Sequence, residues 1–136
     1  MLNFSLSDLS NKNIIIIDDD VPSVKYYETL LKSTGAEITI LKNGRDFNEL
    51  ISQEALNVDF IIMDFLIPYI NGIDCIKLLR KRDKETPVIM VTAYSSDQIR
   101  REAFVAGCNE FVLKPLFPER LLNLIEKYLV RKEYAQ

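Results

Sequence analysis

Histidine is absent from this 136-residue chain, which excludes imidazole acid–base catalysis and a phosphohistidine of the chain's own. Cysteine is scarce. Cys75 and Cys108 stand far apart with no CxxC pair, so no thiolate–imidazole metal site is available, and both read as packing residues in helical surroundings. No apolar run approaches the ~20 residues that span a bilayer, and the opening MLNFSLSDLSNKN lacks the cationic-then-apolar order of a signal peptide. A cytoplasmic location without membrane contact is expected. Basic runs are also missing, and with a net charge of -3 there is no electrostatic footprint for nucleic acid.

What remains is ordinary globular composition, with 48% hydrophobic and 27% charged residues, at the length of one domain. Residues 1–12 are polar and aperiodic and read as a lead-in or linker, 13–131 as the domain, and 132–136 as a polar tail. Within the domain, Ile14–Ile17 form a β-branched run closed by Asp18, Asp19 and Asp20. Pro22 suits the first turn of a helix that stops near Gly35, and Ala36–Leu41 read as a second strand. After Asn43-Gly44, Phe47, Leu50 and Ile51 suggest a helix to about Glu54. Asp59–Asp64 form the third strand, followed by a Pro68-bearing loop to Gly72 and a helix ending in the basic KLLRKR, which suits the negative end of the helix dipole. Pro87–Thr92 read as a fourth strand, and Ser95, Ser96 and Asp97 offer caps for the helix that runs to Gly107. Phe111–Leu113 make a fifth strand, and Leu121, Leu122, Leu124, Ile125, Tyr128 and Leu129 a last helix.

Strands alternating with helical segments predict an α/β fold, a doubly wound five-stranded parallel sheet with helices on both faces, and of the two common doubly wound orders five strands suit 2-1-3-4-5. In such sheets ligands gather outside the carboxyl ends of the strands. Standing there are Asp18, Asp19 and Asp20 after the first strand, Asp64 after the third, Thr92 at the fourth and Lys114 after the fifth. Each alone has a structural explanation as a helix cap, a strand end or a solvated charge. Together they offer hard oxygen ligands for Mg²⁺, a hydroxyl and an ammonium for phosphoryl oxygens, and in Asp64 a carboxylate able to attack phosphorus.

IIIIDDD, FIIMDFLIP, VIMVTAY and FVLKPL resemble, in order, the four hallmark segments of receiver domains of bacterial two-component response regulators, over about residues 13 to 131. The resemblance implies a flavodoxin-like receiver fold and a phosphorelay role. It makes Asp64 the phosphoacceptor, with Asp18, Asp19 and the backbone carbonyl of Leu66 completing the Mg²⁺ ligands. Thr92 and Lys114 would contact the phosphoryl oxygens, and Phe111 occupies the place of a switch aromatic. It stands there without the hydroxyl of the commoner tyrosine. The implied partner is a histidine kinase or histidine phosphotransfer protein, and the fourth and fifth helices are the candidate surface for a homodimer. DLSNKN, LLKSTGAEI and KNG look like receivers at the ends of hybrid sensor kinases, while a stand-alone regulator stays open. Asp20 leaves the acidic pair ambiguous by one residue, although the spacing to Gly35 favours Asp18 and Asp19. Leu66 and Tyr94, each two residues beyond a site residue, carry no acid or amide to orient a hydrolytic water and are candidate modulators of dephosphorylation.

A rival is a small phosphatase of the haloacid-dehalogenase type, in which Asp18 is the nucleophile, Asp20 its acid–base partner, and Thr92 and Lys114 the next two motif residues. Pro22 in place of a small hydroxyl residue, no later acidic pair and little length for a substrate cap weigh against it. A flavodoxin-like FMN carrier fits less well, because no Gly- or Ser/Thr-rich phosphate loop follows the first strand.

Overall fold

The computed structural model describes residues 8–54, 56–94 and 96–130. Five strands, β1 (Asn13–Ile17), β2 (Glu37–Leu41), β3 (Phe60–Met63), β4 (Val88–Thr92) and β5 (Glu110–Leu113), form one parallel sheet in the order β2-β1-β3-β4-β5, as the sequence predicts. Crossovers run through α1 (Val21–Leu31), α2 (Gly44–Ile51), α3 (Gly72–Arg80) and α4 (Asp97–Ala106). The last helix, α5 (Pro118–Ile125), continues as a π-helical turn, Glu126–Val130.

The period-two alternation of the strands divides the core into two layers. Ile14 and Ile16 face Tyr27 and Leu31 of α1 and Leu121 and Leu124 of α5. Ile15 and Ile17 face the other way, onto Phe47, Ile76, Leu79 and Ala103 of α2, α3 and α4. Central strands β3 and β4 are buried throughout, which is why they read as unbroken apolar runs, whereas the edge strand β2 alternates between half-buried and exposed.

Several boundaries shift for identifiable reasons. The polar lead-in contributes Leu9 to the core, where its N–H donates to Thr34 O at 2.9 Å, so packing starts before Asn13. Helix α1 ends at Leu31 and tightens into a 3-10 turn, Lys32–Thr34, before Gly35 at φ 79. Helix α2 begins at Gly44, three residues before its first apolar contact, because Asn43 Oδ1 accepts from Asp46 N–H at 2.7 Å and caps it, and it ends at Ile51 rather than Glu54. Ser96 caps α4, while Ser95 and the tail from residue 131 lie outside the described residues. Cys75 and Cys108 are both buried, but Cys108 sits in the turn after α4, not in a helix. Burial pushes the Cys75 thiol up to about 12 and the Cys108 thiol up to about 11, consistent with inert packing residues.

Candidate functional site

Backbone pairing continues past the ends of the strands and aligns the acids. Asp18 N–H donates to Leu41 O and Asp64 N–H to Ile17 O, each at 3.0 Å, so the residues that follow β1 and β3 lie side by side. Lys114 N–H donates to Thr92 O at 2.8 Å and fixes the start of the loop after β5 in the same way. The Lys114–Pro115 peptide that follows is cis. Gly72 closes the other side: its N–H donates to Phe65 O at 2.8 Å, and a Cβ there would lie 2.2 Å from Asp64 O. Only glycine lets α3 start so close to the end of β3.

The Lys114 ammonium lies between two carboxylates, donating to Asp18 Oδ2 at 3.0 Å and to Asp64 Oδ2 at 3.1 Å. Asp18 and Asp64 are buried and Asp19 is exposed, yet ligand oxygens of all three lie within 4.8 Å of one another. Burial raises the Asp18 carboxyl above its ordinary value against the lowering effect of the Asp20 N–H and Lys114, and the Asp64 charge adds to the rise. Burial pulls the Lys114 ammonium down, but its hydrogen bond to Asp18 and the charges of Asp18 and Asp64 outweigh that, leaving it raised. Three carboxylates against one ammonium form a negative, all-oxygen pocket. Such a donor set fits a hard divalent cation such as Mg²⁺, and one more positive charge relieves the repulsion that Lys114 only partly offsets.

Of the three consecutive aspartates, Asp18 and Asp19 lie beside Asp64 and Asp20 does not. Asp20 is the N-cap of α1, accepting from Ser23 N–H at 3.1 Å and Ser23 Oγ at 2.6 Å, and it stands outside the cluster. The phosphatase reading therefore loses its acid–base partner to a helix cap. Thr92 is buried at the end of β4, where its hydroxyl oxygen accepts from Tyr94 N–H at 3.2 Å. Leu66 and Tyr94 are about half exposed on neighbouring loops, with the Tyr94 ring edge-on to Phe65 at 5.9 Å. Phe111 is half-buried on β5, with the guanidinium carbon of Arg100 of α4 5.8 Å from its ring centroid. Sequence reasoning missed Tyr27, which is buried in the α1–α5 layer. Desolvation, then the charges of Asp18 and Asp64, hold its hydroxyl far above the ordinary range. As one member of a helical apolar stripe, Tyr27 carried no signal of that position. Beside Lys114, an open groove of about 490 Å³ runs between α1 and the β5–α5 loop, lined by Pro22, Tyr26, Leu116 and Phe117.

Residues 14–126 match the family model for the response regulator receiver domain. Among curated relatives, a hybrid signal transduction histidine kinase of Dictyostelium discoideum is 34% identical over 125 residues, covering 88% of this chain and 5% of that protein. The chain thus spans only a small part of that relative's length. Among solved structures, a CheY-like receiver domain from Methanospirillum hungatei is 26% identical with a TM-score of 0.82, covering 92% of this chain and 98% of that one. The receiver domain of a sensor histidine kinase from Pseudomonas aeruginosa, solved with magnesium coordinated in its active-site cleft, is 23% identical with a TM-score of 0.76, covering 86% of this chain and 96% of that one. With the family model covering most of the chain, and with the fold and the acidic edge in agreement, this chain belongs to the receiver domains of two-component response regulators.

Proposed function

We propose that this receiver domain takes a phosphoryl group onto Asp64 from a phosphohistidine of a histidine kinase or histidine phosphotransfer protein. The observation that carries the proposal is Lys114 Nζ between Asp18 and Asp64, 3.0 and 3.1 Å from their carboxylate oxygens, at the carboxyl edge of the sheet. An Asp64 oxygen attacks phosphorus and forms the O–P bond, the P–N bond breaks, and the partner's imidazole leaves with the electron pair. Asp18, Asp19, Asp64 and the Leu66 backbone carbonyl would hold Mg²⁺, which when bound supplies positive charge to the phosphoryl oxygens. Lys114 is positioned to exchange its contact with Asp64 for one with a phosphoryl oxygen, and Thr92 to turn its hydroxyl from Tyr94 N–H toward another.

By the family resemblance Phe111 turns inward as Thr92 moves, so the new charge would bias α4, β5 and α5 between two packings. A near-complete swing requires roughly 5.5 kcal/mol of differential interaction. On α4, exposed Phe104 and Val105 support that side of the domain as the self-association surface. The kinship with a hybrid kinase supports a place within such a protein.

Acetyl phosphate with Mg²⁺, followed by peptide mapping, tests the assignment: label on Asp64 supports it, and label on Asp18 restores the phosphatase reading. Mg²⁺ alone is expected to raise the thermal midpoint. At tenfold its Kd the gain is about 1.4 kcal/mol by mass action, and Asp18→Asn removes most of it. A parent protein whose midpoint ignores Mg²⁺ counts against the cation site. Self-dephosphorylation is expected to be slow, because Leu66 and Tyr94 orient no water. Leu66→Asn and Tyr94→Glu should speed phosphate loss several-fold, and unchanged or slower loss would sink that idea.

A further inference from the structure

Residues 65–71 join β3 to α3 and carry Leu66, the proposed backbone ligand, beyond the ladder of the sheet. Within this loop Tyr69 has φ 73, the only positive φ at a non-glycine among the described residues. A bulky side chain in that region is strained and persists only where its surroundings impose it. Burial does not impose it, since Tyr69 is 70% exposed. The contact that engages its ring is Arg45, whose guanidinium carbon lies 4.0 Å from the ring centroid.

Arg45 is the second residue of α2, and the first turn of that helix is built against the loop. Gly44 N–H donates to Pro68 O at 3.0 Å, and a Cβ on Gly44 would fall 2.1 Å from Ile70 O, so no side chain separates the two backbones. Ile70 N–H turns back to Pro68 O at 2.9 Å, and Cys75 Sγ reaches Ile70 O at 3.6 Å. The i→i+2 hydrogen bond from Ile70 to Pro68 closes a γ-turn on Tyr69 and goes with its positive φ, and Arg45 adds a contact to the ring of the strained residue. Helix electrostatics do not explain an arginine there, because a cation in the first turn opposes the helix dipole.

We propose that Arg45 is a positioning residue for the cation site. By clasping Tyr69 it fixes the path of the loop that presents the Leu66 carbonyl, and so sets the affinity for Mg²⁺. The inference rests on the cation-site reading above and adds to it a residue on α2 that touches neither metal nor phosphate.

Calorimetric titration of the full chain with Mg²⁺ tests it. Arg45→Ala, which removes the cation, and Tyr69→Ala, which removes the ring but keeps a Cβ at the left-handed position, should each weaken binding about two- to fivefold, the size of one exposed cation–π contact. Arg45→Lys and Tyr69→Phe keep the cation and the ring and should bind as the parent does. The double variant Arg45→Ala/Tyr69→Ala should be no weaker than the worse single variant. Amide exchange of residues 66–70 in metal-free Arg45→Ala should be faster than in the parent. Parent-like affinity in either disrupting variant, or losses that add in the double variant, overturns the clasp. A parent protein that binds no Mg²⁺ instead overturns the cation site, and the clasp with it.

Discussion

Asp64→Asn is expected to abolish phosphate uptake while leaving the fold intact. The amide is nearly isosteric, and its oxygen still accepts the hydrogen bond that Lys114 makes at 3.1 Å, so the packing beneath the site has no reason to change. It lacks the carboxylate oxygen that forms the bond to phosphorus, and the loss should be complete rather than partial. Stability should hold or rise slightly, because the Asp64 charge is one of the influences that raise the Asp18 carboxyl, and its removal relieves a like-charge contact. Asp18→Asn and Asp19→Asn behave differently if they serve the cation: they should demand more Mg²⁺ and slow labelling without eliminating it at saturation. Incorporation of acetyl-phosphate label, read beside thermal unfolding of each variant, separates these roles. Labelled Asp64→Asn beside unlabelled Asp18→Asn would transfer the nucleophile to Asp18.

Arg80→Met is expected to cost about 3 kcal/mol of stability and to lower the thermal midpoint by roughly 10 °C. The guanidinium is half-buried at the end of α3, at the sheet edge opposite the carboxylates. Its Nε and Nη2 donate to Gly107 O at 3.0 and 2.9 Å, Nη2 also to Thr86 O at 2.8 Å and to Asn109 Oδ1 at 3.1 Å, and Nη1 to Asp83 O at 3.0 Å. One side chain thus ties the end of α3 to the loops that enter β4 and β5. Methionine keeps the stem but leaves these oxygens without their shared donor, and lysine recovers little because a single ammonium cannot reproduce the planar fork. Urea denaturation within about 1 kcal/mol of the parent would refute the estimate. Mg²⁺ binding below the melting range should be unaffected, since the site lies at the other end of the strands.

Arg80 marks a boundary of what the sequence could reveal. Within KLLRKR it reads as one more cation suited to the helix terminus, because local pattern cannot distinguish a solvated arginine from one turned inward onto distant carbonyls. Leu9 is similar: one apolar residue in a polar segment has no period, and only the closeness of Thr34 makes it part of the core. Tyr69 is a third case, since tyrosine gives no notice of a left-handed backbone and Arg45 lies far from it along the chain.

The strands, their parallel pairing and the edge at which chemistry collects were determined by the sequence alone, while the order 2-1-3-4-5 was one of two common choices that the structure bears out. Buried β-branched runs alternating with helical patterns leave few other arrangements, and the residue after each run must emerge at the carboxyl edge. Which of three consecutive aspartates lie beside Asp64 was decided by tertiary structure. The chain turns into α1 immediately after β1, so Asp20 is consumed as a cap and Asp18 and Asp19 face Asp64. Tertiary structure also supplied the cation between the carboxylates, because Lys114 is 96 residues from Asp18 and 50 from Asp64, and only the sheet brings them within hydrogen-bonding distance.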